Sequence, residues 1–402
     1  MGGERPTAGG RGPSFVTHRW ITTDPELSAH VDHLLLQPRY AIDTEFHRER
    51  TYFPRLALVQ IADPSGIVLV DPLTCDLSVL RRLFEAGPLA VLHAAQQDLD
   101  VLTHAVGSVP HRIFDTQLAA GFIGYSTPSL VSLLQAELRV AVGKGDRLTD
   151  WLRRPLSDEQ CAYAASDVAH LLELHDVLER KLVEDGRLDW VVDACEELRQ
   201  RPVSGVDPSA AWTRLKDVRV LKSRARGVAQ AVAEWRERRA MASDMPVRQV
   251  LPDLAVLGIA QKQPRNLQEL VHARGVDERH SRGAIAKELL AAVERGLAAD
   301  VSLPAPDGEE LDRNLRPAVA LVSAWVGEVA RQQRIDATLL ATRADVVSFL
   351  RGDADSRLAQ GWRHEFLGDG VRRLVDGRAG LTFDGRGGLR LVDVGPGAIS
   401  DG

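Results

Sequence analysis

Between residues 20 and 200 the chain alternates short apolar runs with amphipathic stretches of helical period. "YAID" (40–43), "LALVQIAD" (56–63), "GIVLVD" (66–71) and "LAVLHA" (89–94) have the length and composition of strands. "TTDPE" supplies small polar residues and a first-turn proline, which predicts a helix from Pro25 to Leu36. "LSVLRRLFEAG" predicts a helix closed by glycine. "SDEQCAYAASDVAHLLELHDVLERKLVEDG" predicts one long helix, opened by a capping box at Ser157 and stopped at Gly186.

Past residue 200 the strand pattern fades. "RPVSGVDPS" reads as a linker, and Trp212 to Leu297 as helices interrupted by "SDMP", "LPD" and "KQPRN". "SLPAPDGEE" opens a further helical stretch, and "GLTFDGRGGLRLVDV" reads as a small hairpin. The layout is a leader (1–19), an α/β domain (20–200), a linker (201–210), a helical domain (211–298), a second linker (299–310) and a C-terminal helical domain (311–402). A length of 402 residues accommodates that number of domains.

A formal net charge of −6 excludes a uniformly basic coat but not a local basic surface. Cys75, Cys161 and Cys195 are far apart and form no C-x-x-C pair, so a reducing compartment is expected rather than a disulfide framework or zinc site. The Gly- and Pro-rich start lacks the apolar core of a signal peptide and reads as a disordered leader. With no run approaching a membrane span, the expected location is the cytoplasm.

"AIDTEF" ends an apolar run on two carboxylates one residue apart. In a strand Asp43 and Glu45 project to one side and Thr44 to the other, so two like charges face each other. Solvent, protonation or a bound cation can relieve that repulsion, and solvent is the ordinary answer for an isolated pair. Other carboxylates also sit at element edges. "LHAAQQDLDVL" places Asp98 after a predicted strand, and "YAASDV" places Tyr163 and Asp167 four apart on one helix face. An all-oxygen set of this kind suits Mg²⁺ or Mn²⁺. Two such ions about 4 Å apart stabilise the attacking and leaving oxygens of an in-line phosphoryl displacement.

"AIDTEF", "LHAAQQDL", "FDTQLAA" and "GDRLTDWLRRPLSDEQCAYAASDV", in this order, resemble the DEDDy exonucleases, and within them the ribonuclease D family, over residues 20 to 195. The resemblance implies a ribonuclease-H-like fold, a mixed five-stranded sheet flanked by helices. It assigns Asp43, Glu45, Asp98 and Asp167 to two divalent ions, Mg²⁺ or Mn²⁺, and Tyr163 to the attacking water. The related branch with histidine in place of tyrosine would need it at position 162, which is Ala162. Thr149 stands where the family often has serine, which keeps the hydroxyl. Taken singly, Asp167 also reads as a solvated helix charge and Tyr163 as a core aromatic.

Asp115 reads as a helix N-cap. His93 and Gln97, beside Asp98, are candidates for orienting that loop or meeting substrate. Lys144 and Arg147 can meet substrate phosphates or lie in a solvated loop. Residues 201 to 240 carry ten Lys/Arg against four Asp/Glu, a basic surface within an acidic chain. The stretch from Trp212 to Pro264 resembles the HRDC domain, with Trp212 and Trp235 as core anchors, and "GWRHEFLGDGVRRLVDG" resembles a second, more divergent module of the same kind.

The expectation is a monomeric 3′-to-5′ exoribonuclease that releases nucleoside 5′-monophosphates from single-stranded RNA ends, with tRNA precursors as substrates. A DNA exonuclease with the same chemistry, or an inert nucleic-acid-binding adaptor, remains open at this point.

Overall fold

A computed structural model describes residues 17–141, 149–201, 207–301 and 315–394. The chain divides into two compact units. Met1–His47 with Pro54–Val203 make the first, and Arg48–Phe53 with Ser204–Gly402 the second.

The first unit is a mixed sheet flanked by helices. Its strands are β1 (His18–Ile21), β2 (Arg39–His47), β3 (Arg55–Asp63), β4 (Gly66–Val70), β5 (Leu89–Leu92) and β6 (Ile113–Asp115). They lie in the order β1-β4-β3-β2-β5-β6. The β2-β3-β4 meander is antiparallel, and β1, β5 and β6 add to it in parallel. The near-continuous burial of Leu56 to Asp63 follows from a central strand covered on both faces.

There is one strand more than the five expected, and it corrects the leader boundary. "HRWI" pairs with β4 from His18 onward, so at least His18 and Arg19 belong to the sheet. Four residues with only Ile21 fully buried carry too short a pattern to announce a strand.

The helices of this unit are α1 (Asp24–Leu34), α2 (Leu80–Ala86), α3 (Gln96–Val106), α4 (Thr116–Gly121), α5 (Leu130–Glu137), α6 (Asp158–Ala169), α7 (Leu171–Glu184) and α8 (Leu188–Arg199). The long helix expected from Ser157 to Gly186 is therefore two. His170 leaves helical geometry at φ −118°, ψ 6°, which re-aims the apolar stripe of Leu171, Leu174, Leu178 and Leu182 into the core. The capping box at Ser157 and Gln160 is present.

In the second unit, α9 (Ser223–Ser243), α10 (Asp253–Lys262) and α11 (Gly283–Ala298) enclose a core that includes Trp212, Val228, Val232, Ile259, Leu289 and Val293. α9 and α11 cross at glycine on glycine. A Cβ on Gly227 would lie 2.2 Å from the Gly296 carbonyl oxygen, which only hydrogen side chains permit. The linker expected through residue 210 ends earlier, because Pro208–Arg214 form a short 3₁₀ helix capped by Asp207. Farther along, α12 (Arg316–Gln333) leads shorter helices and an antiparallel hairpin, β7 (Ala379–Phe383) and β8 (Leu389–Asp393), where the sequence placed one. No helix among the described residues is long and apolar enough to cross a membrane.

Candidate active site

β2 brings in the first two carboxylates. In its register with β3, Asp43 faces Gln60 and Glu45 faces Leu58, which sets both acids on one side of the sheet. β5 pairs with β2 only from Arg39 to Ala41, so the segment carrying Asp43 to Glu45 runs past the end of β5. The chain leaving β5 turns through His93–Ala95 into α3, and Asp98 stands in the first turn of that helix, 6% exposed. Thr44, on the opposite side of β2 from its neighbours, donates from Oγ1 to Asp98 Oδ1 at 2.5 Å.

The turn itself is held by Asp115. Its Oδ1 accepts from Ala94 N at 3.1 Å and its Oδ2 from Ala95 N at 2.8 Å, while Oδ1 also caps α4 through Gln117 N and Leu118 N. Ala94 sits at φ +59°, a left-handed geometry that a non-glycine residue adopts only when its surroundings hold it. Asp115 is thus an N-cap, as the sequence indicates, and also the anchor of the loop that presents Asp98.

α6 delivers the rest. Tyr163 and Asp167 lie one turn apart, and carboxylate oxygens of Asp43, Glu45 and Asp167 all fall within 4.8 Å of one another. Tyr163 is half-buried and stacks on Trp151, with ring centroids 6.1 Å apart and planes inclined at 29°. The Trp151 loop is clamped by Arg154. Its guanidinium donates to both Asp71 oxygens (2.7 and 2.8 Å), to the Ala57 carbonyl (2.7 Å) and to the Trp151 carbonyl (2.8 Å).

The electrostatics fit a cation. Burial, and then the charges of Asp98, Asp167 and Glu45, hold the Asp43 carboxyl well above the usual carboxylate range. Burial followed by Asp167 and Asp98 pushes Glu45 up to about 8. Asp98 is raised as well, by burial above all, against the lowering effect of the Thr44 hydroxyl. Crowded carboxylates that resist ionisation are relieved by a divalent ion, and an all-oxygen donor set suits a hard one. A second grouping, His175, Asp176 and Glu179, has no such need. Arg39 already sits in it, bonded to both Asp176 oxygens and 2.6 Å from His175 Nδ1.

The remaining sequence candidates are His93, Gln97, Lys144 and Arg147. His93 turns Nδ1 to Thr116 Oγ1 at 2.9 Å, and Gln97 is exposed at the start of α3. Lys144 and Arg147 lie outside the described residues. Thr44, Trp151, Arg154 and the loop-anchoring duty of Asp115 are not legible in the sequence, because each acts through a partner distant in the chain.

Comparison with known proteins defines the class first. The "3'-5' exonuclease" family matches residues 18–183 and the "HRDC domain" family residues 225–293, so a 3′-to-5′ exonuclease domain precedes an HRDC domain. The ribonuclease D of Jannaschia sp. (strain CCS1) is 36% identical over 93% of this chain and 99% of its own length. That of Gluconacetobacter diazotrophicus is 36% identical over 91% and 94%. The crystal structure of Escherichia coli RNase D superposes with a TM-score of 0.81 at 29% identity, covering 90% of this chain and 99% of that one. The chain belongs to the ribonuclease D family, which makes it a 3′-to-5′ exoribonuclease that uses divalent metal ions.

Proposed function

We propose that this chain shortens tRNA precursors from their single-stranded 3′ ends, releasing nucleoside 5′-monophosphates, with two ions, Mg²⁺ or Mn²⁺, held by Asp43, Glu45, Asp98 and Asp167. The observation that carries the reading is the convergence of Asp43, Glu45 and Asp167 within 4.8 Å, with Asp98 close enough to raise both β2 acids. When bound, the ions supply Lewis-acid stabilisation of the phosphoryl oxygens and a water acidic enough to attack at neutral pH.

The chain's own groups do the rest. The four carboxylates fix where charge is neutralised, and Thr44 fixes the direction of Asp98. Tyr163, held against Trp151, orients the attacking water through a hydroxyl that both donates and accepts. A tyrosine phenol is in general a poor base at neutral pH, so Tyr163 positions the water rather than deprotonating it.

The HRDC domain and the C-terminal module, read as a second domain of that kind, grip the folded body of the RNA while the cleft takes the loose end. Of the basic residues between 201 and 240, Arg214, Lys216, Arg219, Lys222 and Arg224 are exposed and available for phosphates. Others already have acidic partners. Arg236 is buried against Asp253, Arg238 pairs with Glu234, and Arg239 pairs with Glu288. Trp212 is buried, and Trp235 packs on the same core and donates to Glu288 at 2.8 Å, so both serve packing rather than base stacking. Three buried free cysteines agree with work in the cytoplasm. We take the active form to be a monomer, which sedimentation velocity tests.

The direct test incubates a 3′-extended tRNA precursor with Mg²⁺ or Mn²⁺ and compares the parent protein with Asp43→Ala. Losing several kcal/mol of charge stabilisation slows cleavage about a thousandfold. Cleavage unchanged by that substitution rejects the site. Preference for a DNA end over an RNA end of the same sequence rejects the substrate.

A further inference from the structure

β3 carries a polar side chain that the fold leaves unserved. Gln60 is 0% exposed, and neither its Nε2 nor its Oε1 has a hydrogen-bond partner among the described residues. Its cross-strand partners are Asp43 on β2 and Leu69 on β4. Residues directly opposite one another in a ladder project to the same face, so the amide shares a face with Asp43 and Glu45.

α6 packs against β3 and β2. One apolar cluster, with Leu58 and Ala164, lies to one side along the strand and includes Leu69 across on β4, and another, with Ala41, Ala62 and Val168, lies to the other. The amide therefore interrupts an apolar layer at the level of the carboxylates, between the parts of α6 that bring in Tyr163 and Asp167. A buried amide without partners costs stability, and a leucine or methionine of similar volume would fill the space at no such cost. What distinguishes the position is Asp43 directly across from it.

We propose that Gln60 is a positioning residue for the metal site: in the metal-loaded protein its amide N–H donates, directly or through one water, to the Asp43 carboxylate and fixes the orientation in which Asp43 holds the cation. The inference rests on the metal-dependent reading of the carboxylate cluster. It explains why an amide and not an aliphatic side chain occupies the centre of β3. A carboxylate bound to a cation keeps lone pairs turned away from it, and outer-shell donors to those lone pairs set ligand geometry.

The test uses the full chain as parent, Gln60→Met, Gln60→Leu and Asp43→Ala. Mn²⁺ alone is titrated calorimetrically, melting is followed without metal, and RNA hydrolysis is measured against Mn²⁺ concentration. The expected result is that Gln60→Met binds Mn²⁺ about 10- to 100-fold more weakly. The Mn²⁺ concentration for half-maximal hydrolysis should move by the same factor, and the metal-free melting temperature should be no lower than the parent's. Mn²⁺ affinity within twofold of the parent overturns the inference. Loss of the fold in both Gln60 variants overturns it too, because the amide would then be a structural group.

The two readings fail separately. A parent that binds Mn²⁺ but leaves RNA intact removes the nuclease reading, and the binding shift still decides Gln60. A parent that hydrolyses RNA, is silenced by Asp43→Ala and is indifferent to Gln60→Met keeps the nuclease reading and removes this one. A parent that binds no Mn²⁺ removes both.

Discussion

Thr44 and Asp98 are 54 positions apart in the chain, and the threonine hydroxyl donates to the aspartate carboxylate across the end of β5. The bond runs from the side of β2 opposite Asp43 and Glu45, so one strand orients acids on both of its sides. Removing it with Thr44→Val leaves a buried carboxylate short of a donor and free to rotate. The expected outcome is a 10- to 100-fold fall, roughly, in kcat, with the KM for RNA little changed. Thr44→Ser, which keeps the hydroxyl, should restore most of the rate. Steady-state kinetics on a 3′-extended RNA decides, and equal rates for Thr44→Val and the parent would sink the role.

Glu45 makes the metal-free protein sensitive to pH. Its carboxyl moves from an ordinary 4.5 up to about 8 in the folded chain, through burial and then through Asp167 and Asp98. A group raised in the folded state contributes stability that is complete below its unfolded pKa and is lost as pH rises through the folded one. Glu45→Gln removes this dependence, so in chelator the variant's advantage in melting temperature should be small near pH 5 and grow toward pH 8. Adding Mn²⁺ at pH 8 should stabilise the parent more than the variant and release protons from the parent. A melting difference that stays flat from pH 5 to 8 would contradict the electrostatic account.

The strands that position the site were legible because each is an apolar run of strand length bounded by turns, and β3 and β4 fall within a residue of their expected bounds. β1 and β6 were not, since four residues with one buried side chain and the three residues Ile113–Asp115 are too short a pattern for a strand. The break at His170 carries no glycine or proline, because tertiary packing of Leu171 and Leu174 imposes it rather than local preference.

The acids themselves could be picked out by order and spacing, but their meeting depends on the β2-β3 pairing and on α6 packing over it. Gln60 is inconspicuous inside "LALVQIAD", where the window average is apolar and only the register sets it opposite Asp43. Composition likewise overstated the basic surface, because it cannot tell exposed Arg214 from buried Arg236.

Arg154 joins stability to the placement of Tyr163. Its fork saturates Asp71, whose side chain is 6% exposed, and ties down the carbonyl of the residue that stacks on Tyr163. Arg154→Met strands a buried charge and should cost about 3 kcal/mol in urea unfolding. Because the Trp151 loop loosens at the same time, kcat should fall at temperatures where the variant is still folded, while affinity for RNA holds. A destabilised variant with full kcat would separate the clamp from the chemistry.

The exposed cations just before the matched HRDC segment should act by charge and not by sequence. Arg214, Lys216, Arg219, Lys222 and Arg224 fall within eleven positions, and they stand outside the ion pairs that occupy Arg236, Arg238 and Arg239. Each phosphate they contact releases condensed counterions, so RNA affinity should fall linearly with the logarithm of salt concentration. Replacing Arg214, Lys216 and Arg219 with glutamine should weaken binding of structured RNA at low salt and reduce that slope by about one per lost contact. Hydrolysis of a short single-stranded oligonucleotide, whose reacting end needs only the carboxylate cleft, should be far less affected. Filter-binding across a salt series, paired with cleavage of both substrates, measures the division directly. A slope unchanged by the triple substitution would move the RNA grip to another surface.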